Sequence, residues 1–240
     1  MADMIVNFFK GTAYNLSILC IVLIAIWIGK LVNDLLTPRF STDEELTGKN
    51  NAAFGVSLAG YYVGLAIAIA GVVLGPGSGD LLVDMFNVAI YSLVAIILMN
   101  LAIFINDKLI LFKFDDQKEL VEDQNAGTGA VIAGSCLATG LIINSAVSGE
   151  IAGAWWHGLL ACLIFFLLGQ IALVITGLWY QFITRYDVHK VIGENNNTAA
   201  GVAFGGFLFA MGYIVHAAML GESNPAEPGS VLTDLVSPSL

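Results

Sequence analysis

Residues 50–60 read NNAAFGVSLAG, and the phrasing returns as QNAGTGAVIAG at 124–134 and as NNTAAGVAFGG at 196–206. Aligning the asparagines sets Asn51, Asn125 and Asn197 in register, with steps of 74 and 72 residues. The register extends both ways. Upstream stand Arg39-Phe40, Lys113-Phe114 and Arg185-Tyr186, then Leu46, Leu120 and Ile192, then Gly48, Glu122 and Glu194. Downstream stand Gly55, Gly129 and Gly201, then Ala59-Gly60, Ala133-Gly134 and Gly205-Gly206. Agreement held over this length is the mark of an internal repeat.

The composition says where such a repeat lives. Of 240 residues, 58% are hydrophobic and 12% charged, with mean hydropathy +0.83. A soluble domain carries about a quarter charged residues. Six apolar stretches, approximately 14–36, 52–75, 84–111, 126–147, 153–183 and 199–220, are each long enough to cross a bilayer. The expected fold is all-α: a polytopic membrane protein whose six helices form three parallel two-helix repeats. The repeats run approximately over 12–75, 84–147 and 153–220, within one transmembrane domain (1–220). Residues 221–240 read as a short, loosely ordered acidic extracytoplasmic tail. The first stretch lacks the basic start and small-residue cleavage site of a signal peptide, so it is expected to stay in the mature protein.

Orientation follows from the cations. Lys30, Arg39 and Lys49 flank the end of the first helix, Lys108, Lys113 and Lys118 the third, and Arg185 and Lys190 the fifth. Lys10 alone dissents. The positive-inside rule then places the loops after the odd helices in the cytoplasm and both termini outside. Each unit holds an even number of crossings, so all units enter in the same sense. Inverted repeats, which underlie many transporters, are thereby disfavoured.

Asn51, Asn125 and Asn197 fall where the even helices start, as N-caps that satisfy free backbone N–H groups. The acidic residues before them suit the positive end of the helix dipole. Small residues four apart then make a smooth ridge, in which Gly55, Gly60, Gly64, Gly129, Gly134, Gly201, Gly205 and Gly206 are expected to pack helix on helix. Even helices should form a close-packed inner layer. Odd helices, richer in Leu, Ile, Phe and Trp, should face lipid.

The stretches EELTGKNNAAFG (44–55) and ELVEDQNAGTG (119–129) resemble the bacterial inner-membrane family of unknown function typified by YjfL. VIGENNNTAAG (191–201) departs from the pattern by losing the Glu-Leu pair. The resemblance spans most of residues 12–220. It implies an integral membrane protein, grouped with envelope-stress or polyamine-related genes, and no catalytic residues.

No G-x-S-x-G, Walker loop or H-E-x-x-H occurs, so no enzyme activity and no cofactor are expected. Cys20, Cys136 and Cys162 lie in apolar stretches without ligand spacing, and His157, His189 and His216 read as interfacial residues, so no metal is expected. Intramembrane polar residues carry the remaining chemistry. Asn100 and Gln170 lie deep in odd helices, and Asp34 and Asp107 lie near the cytoplasmic surface; together they could make a polar path. The plainer readings are interhelical hydrogen bonds for the first two and snorkelling anchors for the others. Trp155, Trp156, Trp179 and Tyr180 fit an aromatic belt.

Two function classes remain. One is a non-catalytic module that forms a homo-oligomer in the lipid bilayer and presents acidic cytoplasmic loops to a protein partner. The other is a small cation-permeable channel or transporter with a carboxylate-rich mouth. No nucleic-acid partner is expected.

Overall fold

The computed structural model describes residues 2–37, 40–75, 77–113, 115–148 and 155–220, with side chains omitted for 2–7 and 155. Arg39, Phe114 and the tail 221–240 therefore lie outside the described residues, as does the side chain of Trp155. Six long helices are present: α1 (Ala2–Leu36), α2 (Ala52–Leu74), α3 (Leu81–Leu109), α5 (Ala126–Val147), α6 (Trp155–Ile183) and α7 (Thr198–Met219). A short α4 (Asp116–Val121) precedes α5, and π-helical turns at Glu44–Gly48 and Lys190–Glu194 precede α2 and α7. All six long helices are long and apolar enough to cross a membrane. The described residues contain no strand.

The helices begin where short polar side chains can accept from free N–H groups. Asp80 Oδ1 accepts from Leu82 N at 2.8 Å to start α3, and Asp115 Oδ1 accepts from Gln117 N at 3.1 Å to start α4. The first helix is longer than its apolar run. It begins at Ala2 rather than near residue 14, because Asn7, Lys10 and Thr12 interrupt hydropathy without interrupting a helix.

Two layers result. α2, α5 and α7 form a row in which α5 is the middle member, packed intimately on both neighbours, while α2 and α7 form no joint with each other. α3 lies in the groove between α2 and α5, α6 lies in the groove between α5 and α7, and α1 packs on α2 and α3. A hydrogen bond from Tyr14 Oη to Asp84 Oδ2, 2.6 Å, ties α1 to the start of α3.

The core sits between the layers, with Leu65, Ile69, Ile96, Met99, Ile142 and Phe166 wholly buried. The outer faces of α1, α3 and α6 carry the reverse pattern. Trp27, Ile97, Phe104, Ile175 and Phe182 are 60%, 65%, 62%, 61% and 80% exposed. A continuous apolar surface of this kind is intolerable in water and is what a bilayer requires.

Glycine makes the row possible. A Cβ at Gly60 would overlap the Ala133 backbone, one at Gly64 the Cys136 backbone, and one at Gly129 the Ala53 backbone. Gly134 and Gly201 press likewise on Gly205 and Gly127, and Gly205 on Ala130. Two of the expected packing glycines do otherwise. Gly55 has only Leu46 Cδ2 at an ordinary 3.6 Å, and Gly206 has nothing within 4 Å. Gly206 lies on the exposed face of α7, and among the described residues no helix follows α7 in the row.

Candidate functional site: caps and a polar cavity

At one end of the row the three asparagines take the same backbone shape, with φ near −75, −72 and −80° and ψ 98° in each. The residues before them, Asn50, Gln124 and Asn196, hold left-handed φ of 51, 48 and 50°. That turn lifts the chain so that the asparagine side chain points back at its own helix. Asn51 Oδ1 accepts from Phe54 N at 3.0 Å, Asn125 Oδ1 from Gly127 N at 3.0 Å, and Asn197 Oδ1 from Ala200 N at 3.0 Å.

The other end of each amide separates them. Asn51 Nδ2 donates to Glu45 Oε2 at 3.0 Å and to the Leu120 carbonyl at 2.7 Å. Asn125 Nδ2 donates to Glu119 Oε2 at 2.8 Å and to the Ile192 carbonyl at 2.7 Å. Each buried asparagine therefore clamps its own loop and the next loop along. Asn197 is exposed, and no described residue accepts from its Nδ2.

Glu45 and Glu119 are buried rather than displayed. Burial would raise the Glu45 carboxyl, but the Lys49 ammonium at 2.6 Å and the Asn51 amide together hold it below its ordinary value. Both glutamates stand six residues before their asparagines, a spacing visible in the sequence. Val191 stands six residues before Asn197, and among the described residues no such clamp forms there.

Beside these clamps, between α1, α2, α3, α4 and α5, a cavity of about 870 Å³ opens. Asn100 and Tyr61 line its depth, and Asp107, Lys108, Asp115 and Asp116 its mouth. Asn100 Nδ2 donates to Tyr61 Oη at 3.2 Å, and Tyr61 Oη donates to the Gly29 carbonyl at 3.0 Å. One chain of polar contacts thus joins α3, α2 and α1. At the mouth, Lys108 Nζ lies 2.6 Å from Asp107 Oδ2. Burial and the adjoining Asp107 carboxylate, to which it is hydrogen-bonded, push Asp116 well above the usual carboxylate range; Lys108 offsets part of this.

Of the four residues expected along a polar path, the cavity brings together Asn100 and Asp107. Asp34 is not among its lining residues; it is held by Lys30 Nζ at 2.7 Å and Thr42 Oγ1 at 2.7 Å. Gln170 lies elsewhere, buried against α5, with Nε2 3.4 Å from Thr139 Oγ1 and Oε1 unpaired. His189 is also placed differently from the interfacial expectation. It is buried beneath the α3 terminus, Nε2 2.9 Å from the Ile110 carbonyl, and burial pulls its pKa below the ordinary value.

Among the described residues no three or more His, Cys, Asp or Glu side chains converge as a metal site. Cys136 and Cys162 are buried and Cys20 is exposed.

The chain is 25% identical over 220 residues to a UPF0719 transmembrane protein of Aquifex aeolicus (strain VF5), covering 88% of this chain and 74% of that protein. No solved structure matches it. The family model described as Domain of Unknown Function (DUF350) matches residues 7–147 and 154–237. With nearly the whole chain matched and six membrane-length helices in place, this transmembrane protein belongs to the DUF350 family.

Proposed function

We propose that the chain is a non-catalytic, self-assembling module of the bacterial inner membrane, with both termini outside and its cap-side loops in the cytoplasm. One observation carries this reading. The described row of glycine-packed helices ends on α7 in an exposed small-residue face, where a Cβ added at Gly206 would meet no neighbouring element within 4 Å. In lipid, such a face gains contacts from another helix that fluid acyl chains supply less well. The row is read as three two-helix units of one design, the unit that the resemblance to YjfL-type proteins also rests on. The loops retain exposed carboxylates at Asp43, Glu44, Glu122, Asp123 and Glu194, available to a basic protein partner after Glu45 and Glu119 are committed to the clamps. Mass measurement of the intact chain in gentle detergent or lipid nanodiscs tests the reading. A homo-oligomer is expected, and a strictly monomeric particle rejects it.

A second reading has its own observation. The cavity with carboxylates at its mouth and the Asn100–Tyr61 pair at its depth suits cation entry. Cation flux in proteoliposomes that disappears in Asn100→Leu would support conduction over assembly alone.

A further inference from the structure

The two joints inside the chain are built from the same positions. In the first, Gly60 meets Ala133, Gly64 meets Gly140, and Ala53 meets Gly129. In the second, Gly134 meets Gly205, Ala138 meets Gly212, and Gly127 meets Gly201. The polar contacts follow suit. Asn144 Nδ2 donates to the Ile67 carbonyl at 2.7 Å, and His216 Nδ1 lies 2.8 Å from the Leu141 carbonyl. Asn51 and Asn125 reach the Leu120 and Ile192 carbonyls, each at 2.7 Å. Each of these five contacts of the first joint becomes one of the second when its α2-side member moves on 74 residues and its α5-side member 72.

One more step of the same shift carries the leading face onto α7, at Ala199, Gly206, Ala210 and Tyr213, all of them exposed. One step back carries the receiving face onto α2, at Gly55, Ala59, Ala66 and Ala70, all exposed or half-buried. The clamp shifts too, pairing the unclaimed Asn197 amide with the carbonyl of Leu46, an exposed residue. The row of described helices thus ends in the two halves of a joint that it makes twice internally. The halves are on different helices, so one molecule cannot bring them together without closing its own row.

We propose that a second copy of this chain completes the joint, α7 of one copy docking on α2 of the next, with Gly206 against Ala59 and Ala210 against Ala66. The proposal rests on the self-assembly reading above and specifies its geometry. Asn197 Nδ2 of the first copy donates to the Leu46 carbonyl of the second. The clamps gather the starts of α2, α5 and α7 at one end of the row, so these helices run parallel. Copies inserted in the same sense therefore offer the two faces in the direction the internal joints use. The docked α7 also supplies the missing wall of the groove for α1, which now packs on α2 and α3 alone, whereas α3 and α6 each lie between two row helices. Two unlike faces make a head-to-tail contact, which closes into a ring or continues as a file and excludes a twofold dimer through α7.

Disulfide trapping in native membranes tests this. Full-length chains with Cys20, Cys136 and Cys162 replaced are produced with two tags, one carrying Ala59→Cys and the other Gly206→Cys. Both substitutions fall on exposed positions, and the second has open space around it. Oxidation is expected to give a linked species bearing both tags when the two are co-produced, because docked Cβ atoms come within disulfide range. Gly206→Cys linking to itself instead would overturn the proposal in favour of a symmetric contact. Oligomers by mass without any mixed link would overturn the proposal and leave the self-assembly reading standing, whereas monomers would end both. A second measurement avoids the cysteine replacements. Gly206→Leu in the otherwise native chain is expected to stay folded but run as monomers, and a parent-sized assembly would overturn the proposal.

Discussion

Asn125 Nδ2 lies 2.7 Å from the carbonyl of Ile192, 67 residues away, while no described residue accepts from the matching amide of Asn197. The two caps should therefore differ in worth. Asn125→Ala loses the cap, about 1 kcal/mol, and leaves the Ile192 carbonyl and the Glu119 carboxylate without their donor, about 1–3 kcal/mol more. Asn197→Ala loses the cap alone, about 1 kcal/mol. Denaturant unfolding of detergent-solubilised single chains measures both. Equal losses would mean that the clamp contributes nothing.

Glycines of one sequence pattern should respond oppositely to enlargement. Gly134→Leu places a side chain into the Gly205 backbone and is expected to prevent folding or cost more than the roughly 1–3 kcal/mol of ordinary overpacking. Gly206→Leu meets open space and should leave the melting temperature of the single chain unchanged within a few degrees. Thermal unfolding with size-exclusion profiles distinguishes the two.

Intramembrane amides should also divide. Gln170→Leu removes one weak 3.4 Å contact and an unpaired Oε1, so stability should change by less than about 1 kcal/mol and any cation flux should persist. Asn100→Leu cuts the link to Tyr61 within the cavity, and any flux should fall. Flux lost in Gln170→Leu and retained in Asn100→Leu would show that the cavity is not the path.

Acid should act on Asp116 and Glu45 with opposite sign. The folded protein holds the Asp116 proton more tightly than the unfolded chain does, so this stabilising contribution is full below an ordinary carboxylate pKa of about 4 and is lost as pH rises through the raised folded value. Glu45 is lowered on folding; its contribution is present above about 4 and is lost as pH falls through the lower folded value. Melting temperature measured between mildly acidic and neutral pH should fall less steeply with rising pH in Asp116→Asn than in the parent. Parallel curves would remove Asp116 as the titrating group.

The helices and their starts were legible because hydropathy and cap chemistry are local. Asn51, Asn125 and Asn197 announce a helix start by residue type and position alone. Which glycine is covered is not local. Gly60, Gly134 and Gly206 are written alike, yet the first two press on a following helix, and the third belongs to the last helix in the row. Glycine spacing identifies a smooth face without saying whether a neighbour exists. The buried glutamates were hidden for a related reason. Glu45 and Glu119 look like members of acidic loop clusters until the fold brings a particular asparagine amide to each.

The middle position of α5 sets how damage spreads through the molecule. In a row held by neighbour-to-neighbour joints, stability is approximately a sum of terms for each element and each joint. A substitution that loosens α2 or α7 weakens one joint, whereas one that loosens α5 weakens both and unseats α3 and α6, which lie in its grooves. Tolerance to change should therefore be lowest across residues 126–147 and rise toward both ends of the chain. A saturation scan of the whole sequence would record that gradient as a trough centred on the least conspicuous of the six helices, one made largely of Gly, Ala, Ser, Thr and Ile.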